Sequence, residues 1–123
     1  TVTEALLNLF DCWYDDALFD GRLEVAMRTW ALTDPTVDAA MREADAARVA
    51  AITALFARFG YAPEEADTRA RTLYLTQVGY MAMRSDESVA VRMGRNAGYV
   101  LTFCGKPASE AELAAFNARH PVR

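Results

Sequence analysis

The side chains that could carry catalysis are few in this chain, and their spacing limits what they can do. Its one histidine, His120, stands beside Pro121 near the C-terminus, where we expect a frayed tail. Zinc sites of the HExxH type, Ser-His-Asp and Cys-His triads, and the Glu-x-x-His pairs of di-iron bundles all require histidine in another setting. The only lysine, Lys106, does not end a phosphate-binding glycine-rich loop. We therefore expect no enzyme, no metal site and no cofactor.

The densest carboxylate group consists of Asp11, Asp15 and Asp16. Asp11 and Asp15 would share one face of a helix and could hold a hard cation, but no further carboxylate or amide is spaced to complete such a shell. A solvated outer face is the favoured interpretation. The two cysteines, Cys12 and Cys104, are too few for a disulfide scaffold and fall within or beside apolar positions. They predict buried, unreactive thiols in a reducing, cytoplasmic compartment.

Aromatic and soft side chains recur at helical spacing and could form either a core or a ligand cavity. A plain core is the more common use of such residues. Neutral polar residues nevertheless interrupt or flank these faces, and a ligand cavity is mostly apolar with a few polar groups that fix orientation. A pocket between helices is therefore a prediction, and the polar residues concerned are Asn8, Thr29, Thr76, Gln77 and Asn96.

Three glycines lie inside apolar-periodic runs, where each weakens a helix by about 1 kcal/mol relative to alanine. Gly94 and Gly98 are one turn apart, with Ala90 and Ala97 adjoining, and Gly79 lies one helix earlier. Small residues so placed allow two helix backbones to approach closely. Their spacing leaves two possibilities open: close packing inside one subunit, or a dimer interface in which two helices meet their symmetry mates as a four-helix bundle.

The amino-acid composition indicates which kind of secondary structure positions the candidate residues named above. The chain has 123 residues, enough for one domain. It contains 24 alanines, 11 leucines and 5 methionines against 10 valines and isoleucines together, which favours an all-α fold. Gly21, Gly60 and Gly105 follow apolar runs, where left-handed helix caps are expected. We predict a compact bundle of six to seven helices. The first four runs extend over about Val2–Phe19, Arg22–Leu32, Val37–Phe59 and Pro63–Arg84, and the third is either one helix or two with a break near Asp45. Ser85-Asp86 would cap the next helix, and the capping box Ser109-x-x-Glu112 would open the last one.

The charge of the chain excludes one class of partner. Its formal net charge is −4 and its isoelectric point is about 4.9, which argues against binding of a phosphate backbone by these residues. No uncharged apolar stretch approaches the roughly 20 residues that a membrane span needs, so no membrane partner is expected.

The sequence has the pattern of a helix start at its first residues. Thr1-Val2-Thr3-Glu4 is typical of a capping box, and we therefore expect that an N-terminal part precedes this chain.

An ordered set of residues resembles a known family. Met27-Arg28-Thr29-Trp30-Ala31 is followed, at matching spacing, by Asp34-Pro35 with Val37, Arg48, Leu55-Phe56, Gly60, Pro63-Glu64-Glu65-Ala66, Arg69-Ala70, Tyr74 and Gly79. This set resembles the C-terminal ligand-binding and dimerisation domain of TetR-family transcriptional regulators. The resemblance covers about residues 2–104, whereas 105–123 would be a variable C-terminal helix and tail.

The resemblance implies a single helical domain over 1–123 that binds a small, largely apolar effector. Residues 1–20 would be the helix that follows a missing N-terminal helix-turn-helix, through which alone a repressor would contact operator DNA. Helices of about 63–84 and 87–103 would form the four-helix interface of a homodimer, with Gly79, Met83, Ala90, Gly94, Ala97, Gly98 and Leu101 at or near it. The ligand-binding candidates are Trp13, Met27, Trp30, Phe56, Tyr74 and Gln77. The alternative is a helical dimerisation or protein-interaction module without a small-molecule ligand.

Overall fold

The computed structural model describes residues 1–83 and 86–122, and every regular element in these ranges is an α-helix. The prediction of an all-α bundle is confirmed. None of the described helices is long and apolar enough to cross a membrane. The seven helices of the described ranges are α1 (Val2–Tyr14), α2 (Gly21–Ala31), α3 (Pro35–Arg58), α4 (Pro63–Ala82), α5 (Val89–Met93), α6 (Asn96–Cys104) and α7 (Glu110–Arg119).

Side-chain caps explain where several helices begin. Asp34 accepts hydrogen bonds from the backbone N–H groups of Thr36 and Val37 at 2.9 and 3.2 Å, and Pro35 occupies the first turn of α3. Ser109 and Glu112 form the predicted capping box at the start of α7. These starts could be predicted because each cap bonds only to residues two or three positions away.

The end of the first helix differs from the prediction. Helix α1 stops at Tyr14 rather than near Phe19, and the Asp15 carboxylate instead accepts the N–H of Ala17 at 2.9 Å. Aspartate competes with the helical ladder in this way because its side chain reaches nearby backbone donors. Because α1 ends at Tyr14, Asp15 lies beyond the helix and does not share a helix face with Asp11. The prediction that Gly21 caps the C-terminus of a helix is also wrong, since Gly21 is the first residue of α2.

Helix α3 is one continuous helix from Pro35 to Arg58, which answers the question of a break near Asp45. It ends as predicted before Gly60, whose φ of 90° is left-handed. The short 59–62 connection returns the chain so that α4 packs along α3.

The predicted helix over 87–103 is interrupted. Helix α5 ends at Met93, Gly94 and Arg95 form a turn, and α6 begins at Asn96, so the second of the two late helices consists of two short segments. The low helix propensity of Gly94 accounts for a break at this point. The predicted cap at Ser85 lies outside the described residues, and the observed cap of α5 is Ser88.

The hydrophobic core lies where α1, α3, α4, α6 and α7 meet. Cys104 is buried as predicted, and Cys12 is half-buried. The largest side chains that are fully removed from solvent are Phe56, Phe116, Leu6, Leu7, Leu73, Val100 and Cys104.

The expectation of a frayed tail at His120 is wrong. Its Nε2 lies 2.6 Å from Asp11 Oδ1, and its ring packs 4.8 Å from the Phe116 ring and 5.4 Å from the Tyr14 ring, measured between centroids. Arg119 also pairs with Asp11 at 3.2 Å. Asp11 therefore anchors the end of α7 to α1.

Candidate ligand-binding cavity

A cavity of about 50 Å³ lies between α1, α4 and the α5–α6 segment. The α4 wall is formed by residues 73, 76, 77 and 80, which share one face because they are spaced by three or four positions. Half of the twelve lining residues are aromatic, and polar groups interrupt them, as is typical of small-molecule sites. The lining residues are Phe10, Trp13, Tyr14, Leu73, Thr76, Gln77, Tyr80, Arg92, Arg95, Asn96, Tyr99 and Phe103.

Asn96 is the unusual residue of this lining. It is only 3% exposed, and its side-chain oxygen accepts a hydrogen bond from the Tyr14 hydroxyl at 3.2 Å. Its buried Nδ2 has no hydrogen-bond partner among the described residues. A buried donor without an acceptor costs roughly 1–3 kcal/mol, so native proteins rarely keep one without a reason. An acceptor entering the cavity would satisfy it.

Arg92 supplies the positive charge of the site. Its guanidinium carbon lies 4.7 Å from the Tyr14 ring centroid and 4.8 Å from the Tyr80 ring centroid, a cation–π geometry with both rings. Within the described part of the chain it forms no ion pair, whereas the nearby Arg95 bonds to Glu87 at 2.7 Å. Burial raises the pKa of Tyr14, and this rise outweighs the opposing effects of Asn96 and Arg92. The cavity therefore combines a neutral phenol with a cation that makes no ion pair among the described residues.

A wider groove of about 860 Å³ adjoins the cavity. Trp13, Gln77, Tyr80 and Arg92 line both, so the groove leads to the cavity from the side of α2. The rest of the groove mixes apolar and charged side chains, which are Asp16, Phe19, Gly21, Arg22, Val25, Ala26 and Met81.

The structure brings two of the six predicted ligand-binding residues to this site. Trp13 and Gln77 line the cavity and the groove. Met27 is half-buried and lines neither, and Trp30 on α2 is 54% exposed. Phe56 is completely buried in the core.

Tyr74, the sixth candidate, belongs to a polar cluster that joins α2, α3 and α4. Arg28 bonds to Glu24 at 2.9 Å and to Asp45 at 2.6 Å, and Arg48 bonds to Glu24 at 2.6 Å. The Tyr74 hydroxyl donates to Asp45 and lies 3.1 Å from the Arg48 guanidinium. Burial alone would raise the pKa of Asp45, but hydrogen bonds from Arg28 and Tyr74, with the charges of both arginines, hold it below its usual value. Tyr74 thus helps to hold three helices together.

Sequence reasoning missed Tyr14, Tyr80 and Arg92 as lining residues, and it noted Asn96 only as a polar interruption. One signal in the sequence could have pointed to the cavity: Asn96 is a polar residue within an apolar run. Helical spacing shows which residues share a face, but it does not show which faces of different helices meet.

The predicted interface residues lie largely on the surface. Gly79 is half-buried, and the other six, Met83, Ala90, Gly94, Ala97, Gly98 and Leu101, are exposed. A Cβ atom added to Gly79 or Gly98 would meet no atom of the described residues within 4 Å. Close packing inside one subunit therefore does not explain these two glycines.

Two rows of small or apolar residues at helical spacing, one along α4 to its C-cap and one along α6, are exposed apart from the half-buried Gly79, and Thr68, Thr72 and Thr102 line one depression between the two helices. We call these rows together the α4–α6 face: Thr68, Thr72, Thr76, Gly79, Met83, Gly98, Leu101 and Thr102. Its three α4 threonines each donate their hydroxyl to the carbonyl oxygen four residues earlier, at 2.9, 2.8 and 2.7 Å. Their hydrogen bonds are thus made within the helix, so a partner can cover them without leaving a hydroxyl unpaired.

Comparison of the chain with known protein families, with curated proteins and with solved structures finds no match in any of the three. The resemblance to the TetR family therefore stays a prediction that depends on the ordered residues given above.

Proposed function

We propose that this chain is the ligand-binding and dimerisation domain of a TetR-like transcriptional regulator. One observation carries the proposal: α4 and α6 contribute residues both to a partly aromatic cavity and to the α4–α6 face, and on α4 the two surfaces adjoin at Thr76. A ligand in the cavity and a second subunit on the face would therefore contact the same two helices.

This arrangement supports coupling between ligand and dimer geometry. Thr76 belongs to both the cavity lining and the α4–α6 face, and Gly79 of the face and Tyr80 of the cavity are consecutive residues of the same turn of α4. A ligand that fits one relative position of α4 and α6 better than another would shift the population of dimer conformations. In a repressor, this shift would change the separation of two helix-turn-helix domains preceding Thr1 and would release the operator.

The charge of the chain is consistent with this division of labour. With a net charge of −4, the domain would not attract the DNA backbone. Operator binding in the proposal belongs to the N-terminal domains alone, and the effector acts through the dimer.

Light scattering tests the dimer. We expect a mass twice the 13.6 kDa of one chain at micromolar concentration. Leu101→Glu places a charge on the α4–α6 face and should yield a monomer. Leu32→Glu is the matched control, because Leu32 is even more exposed and lies elsewhere, so this variant should remain dimeric. A wild-type monomer would contradict the proposed dimer.

Thermal denaturation in the presence of a metabolite library tests the ligand. A compound that binds only the folded state must raise the unfolding midpoint. A dimer whose midpoint no compound raises would favour the alternative of a protein-interaction module, for which the exposed apolar face is the supporting observation.

A further inference from the structure

The polar groups that remain available at the cavity are mainly donors. Asn96 offers an unpartnered Nδ2, and Arg92 offers a guanidinium that no described carboxylate engages. Two of the acceptors nearby are already used, since Asn96 Oδ1 accepts from Tyr14 and Glu87 accepts from Arg95, while the Gln77 amide offers one acceptor and two donors. A ligand that brings acceptors and negative charge is therefore complementary to this cavity, whereas an amine placed there would be repelled by the charge of Arg92.

The start of α6 adds to this preference. Helix α6 begins at Asn96 without a side-chain cap on its first backbone N–H groups. The positive end of its dipole thus lies at the same wall of the cavity as the Asn96 amide. The charge of Glu87 does not cancel this, because Arg95 neutralises it.

The dimensions of the site divide the ligand into two parts. The cavity of about 50 Å³ is smaller than the ~150 Å³ that accommodates a benzene ring. It can hold a head group of a few atoms, while the adjoining groove offers Trp13, Phe19, Val25 and Met81 to an apolar body. Tyr80 lies at the junction, where an aromatic ring could pack against it.

We infer that the ligand is a small carboxylic acid with an apolar, preferably aromatic body, whose carboxylate accepts hydrogen bonds from Asn96 Nδ2 and the Arg92 guanidinium. This inference rests on the proposed function and specifies the chemical class of its effector. Two charge-assisted donors compensate the carboxylate for its lost hydration, and the groove removes the apolar body from water.

The test compares phenylacetate with phenylacetamide, which has the same ring and lacks the charge. Titration calorimetry and the fluorescence of Trp13 in a Trp30→Phe background, where Trp13 is the only tryptophan, measure binding of each probe. We expect phenylacetate to bind at least about tenfold more tightly than phenylacetamide.

Two variants locate the interaction. Arg92→Met should weaken phenylacetate binding about tenfold or more and leave phenylacetamide binding nearly unchanged. Arg42→Met is the matched control, since Arg42 is exposed on α3 away from the cavity, and it should bind both probes as the wild type does. Asn96→Asp should also weaken phenylacetate binding, with far-ultraviolet circular dichroism to confirm that the variant folds.

The outcomes separate the inference from the proposed function. Equal binding of the two probes, or an Arg92→Met variant that still prefers phenylacetate, overturns the carboxylate and leaves a ligand-binding domain. If neither probe binds while a compound of the library raises the unfolding midpoint, the carboxylic acid class is again overturned and the proposed function stands. If no compound of any class binds, both fall.

Discussion

Replacing Glu24 with glutamine should destabilise the fold through the cluster that joins α2, α3 and α4. Glu24 is 6% exposed, and its carboxylate accepts hydrogen bonds from Arg28 at 2.9 Å and from Arg48 at 2.6 and 3.3 Å. Glutamine keeps the size of the side chain and one acceptor oxygen, but it removes the negative charge. Arg28 retains Asp45, and the remaining oxygen can still accept from Arg48. The second oxygen, which accepts from Arg48 at 3.3 Å, is replaced by an NH2 group, so that two donors face each other.

The magnitude follows from the exposure of the partners. Removing one member of a fully buried ion pair costs about 3–5 kcal/mol, and a hydrogen bond to a charged group contributes about 1.5–3 kcal/mol. The side chains of Arg28 and Arg48 are 26% and 35% exposed, so water compensates part of the loss. We therefore expect Glu24→Gln to lower the free energy of unfolding by about 2–3 kcal/mol. For a chain of this length that corresponds to a fall of about 10 °C in Tm.

Urea denaturation at fixed protein concentration measures this change, because dimerisation would make the apparent stability depend on concentration. Glu43→Gln is the matched control: Glu43 is exposed on α3 and pairs with no described residue, so its replacement should change stability by less than about 0.5 kcal/mol. A Glu24→Gln variant as stable as the Glu43→Gln variant would refute the argument that this carboxylate holds the three helices together.

Two further predictions concern other parts of the fold. Hydrogen bonds lower the pKa of Glu112 to about 2, and the bond from the Thr1 hydroxyl has the largest effect. The ionised Glu112 carboxylate therefore contributes fully to stability above pH 4.5, and this contribution disappears as the pH falls towards 2. Urea midpoints of the wild type and of Glu112→Gln should accordingly differ at pH 6 and converge near pH 2; a difference that persists at the lower pH would contradict this. Gly60→Ala should cost about 1 kcal/mol because its φ is 90°. Gly105→Ala should cost more, because the added Cβ would lie 3.2 Å from Arg69 Nη2, and equal losses in the two variants would show that this contact is unimportant.

The predictions that succeeded depend on neighbouring residues. The all-α fold follows from alanine and leucine content, and the caps at Asp34 and Ser109 and the left-handed glycines at Gly60 and Gly105 each involve a few adjacent positions. One prediction that failed also has a local explanation. Gly21 starts a helix because Asp20 caps it, with its carboxylate accepting the N–H groups of residues 22 and 23.

The candidate site could be predicted only in part. Trp13 and Gln77 lie in it, but Tyr14 meets Asn96 across 82 positions of the chain, and no spacing rule connects them. The same holds for His120, which reaches Asp11 across 109 positions and so is ordered rather than frayed.

The sequence by itself determined the class of fold, most of the helix starts and the acidic character that argues against contact between these residues and DNA. Only the tertiary structure decided that Asn96 Nδ2 is buried with no hydrogen-bond partner among the described residues, that Arg92 lies at the same cavity, and that no described atom packs over Gly79 and Gly98. The physical reason is the distance along the chain over which each interaction acts. Helix propensity and capping act over three or four residues, whereas the pairing of a buried polar atom depends on which distant helix covers it.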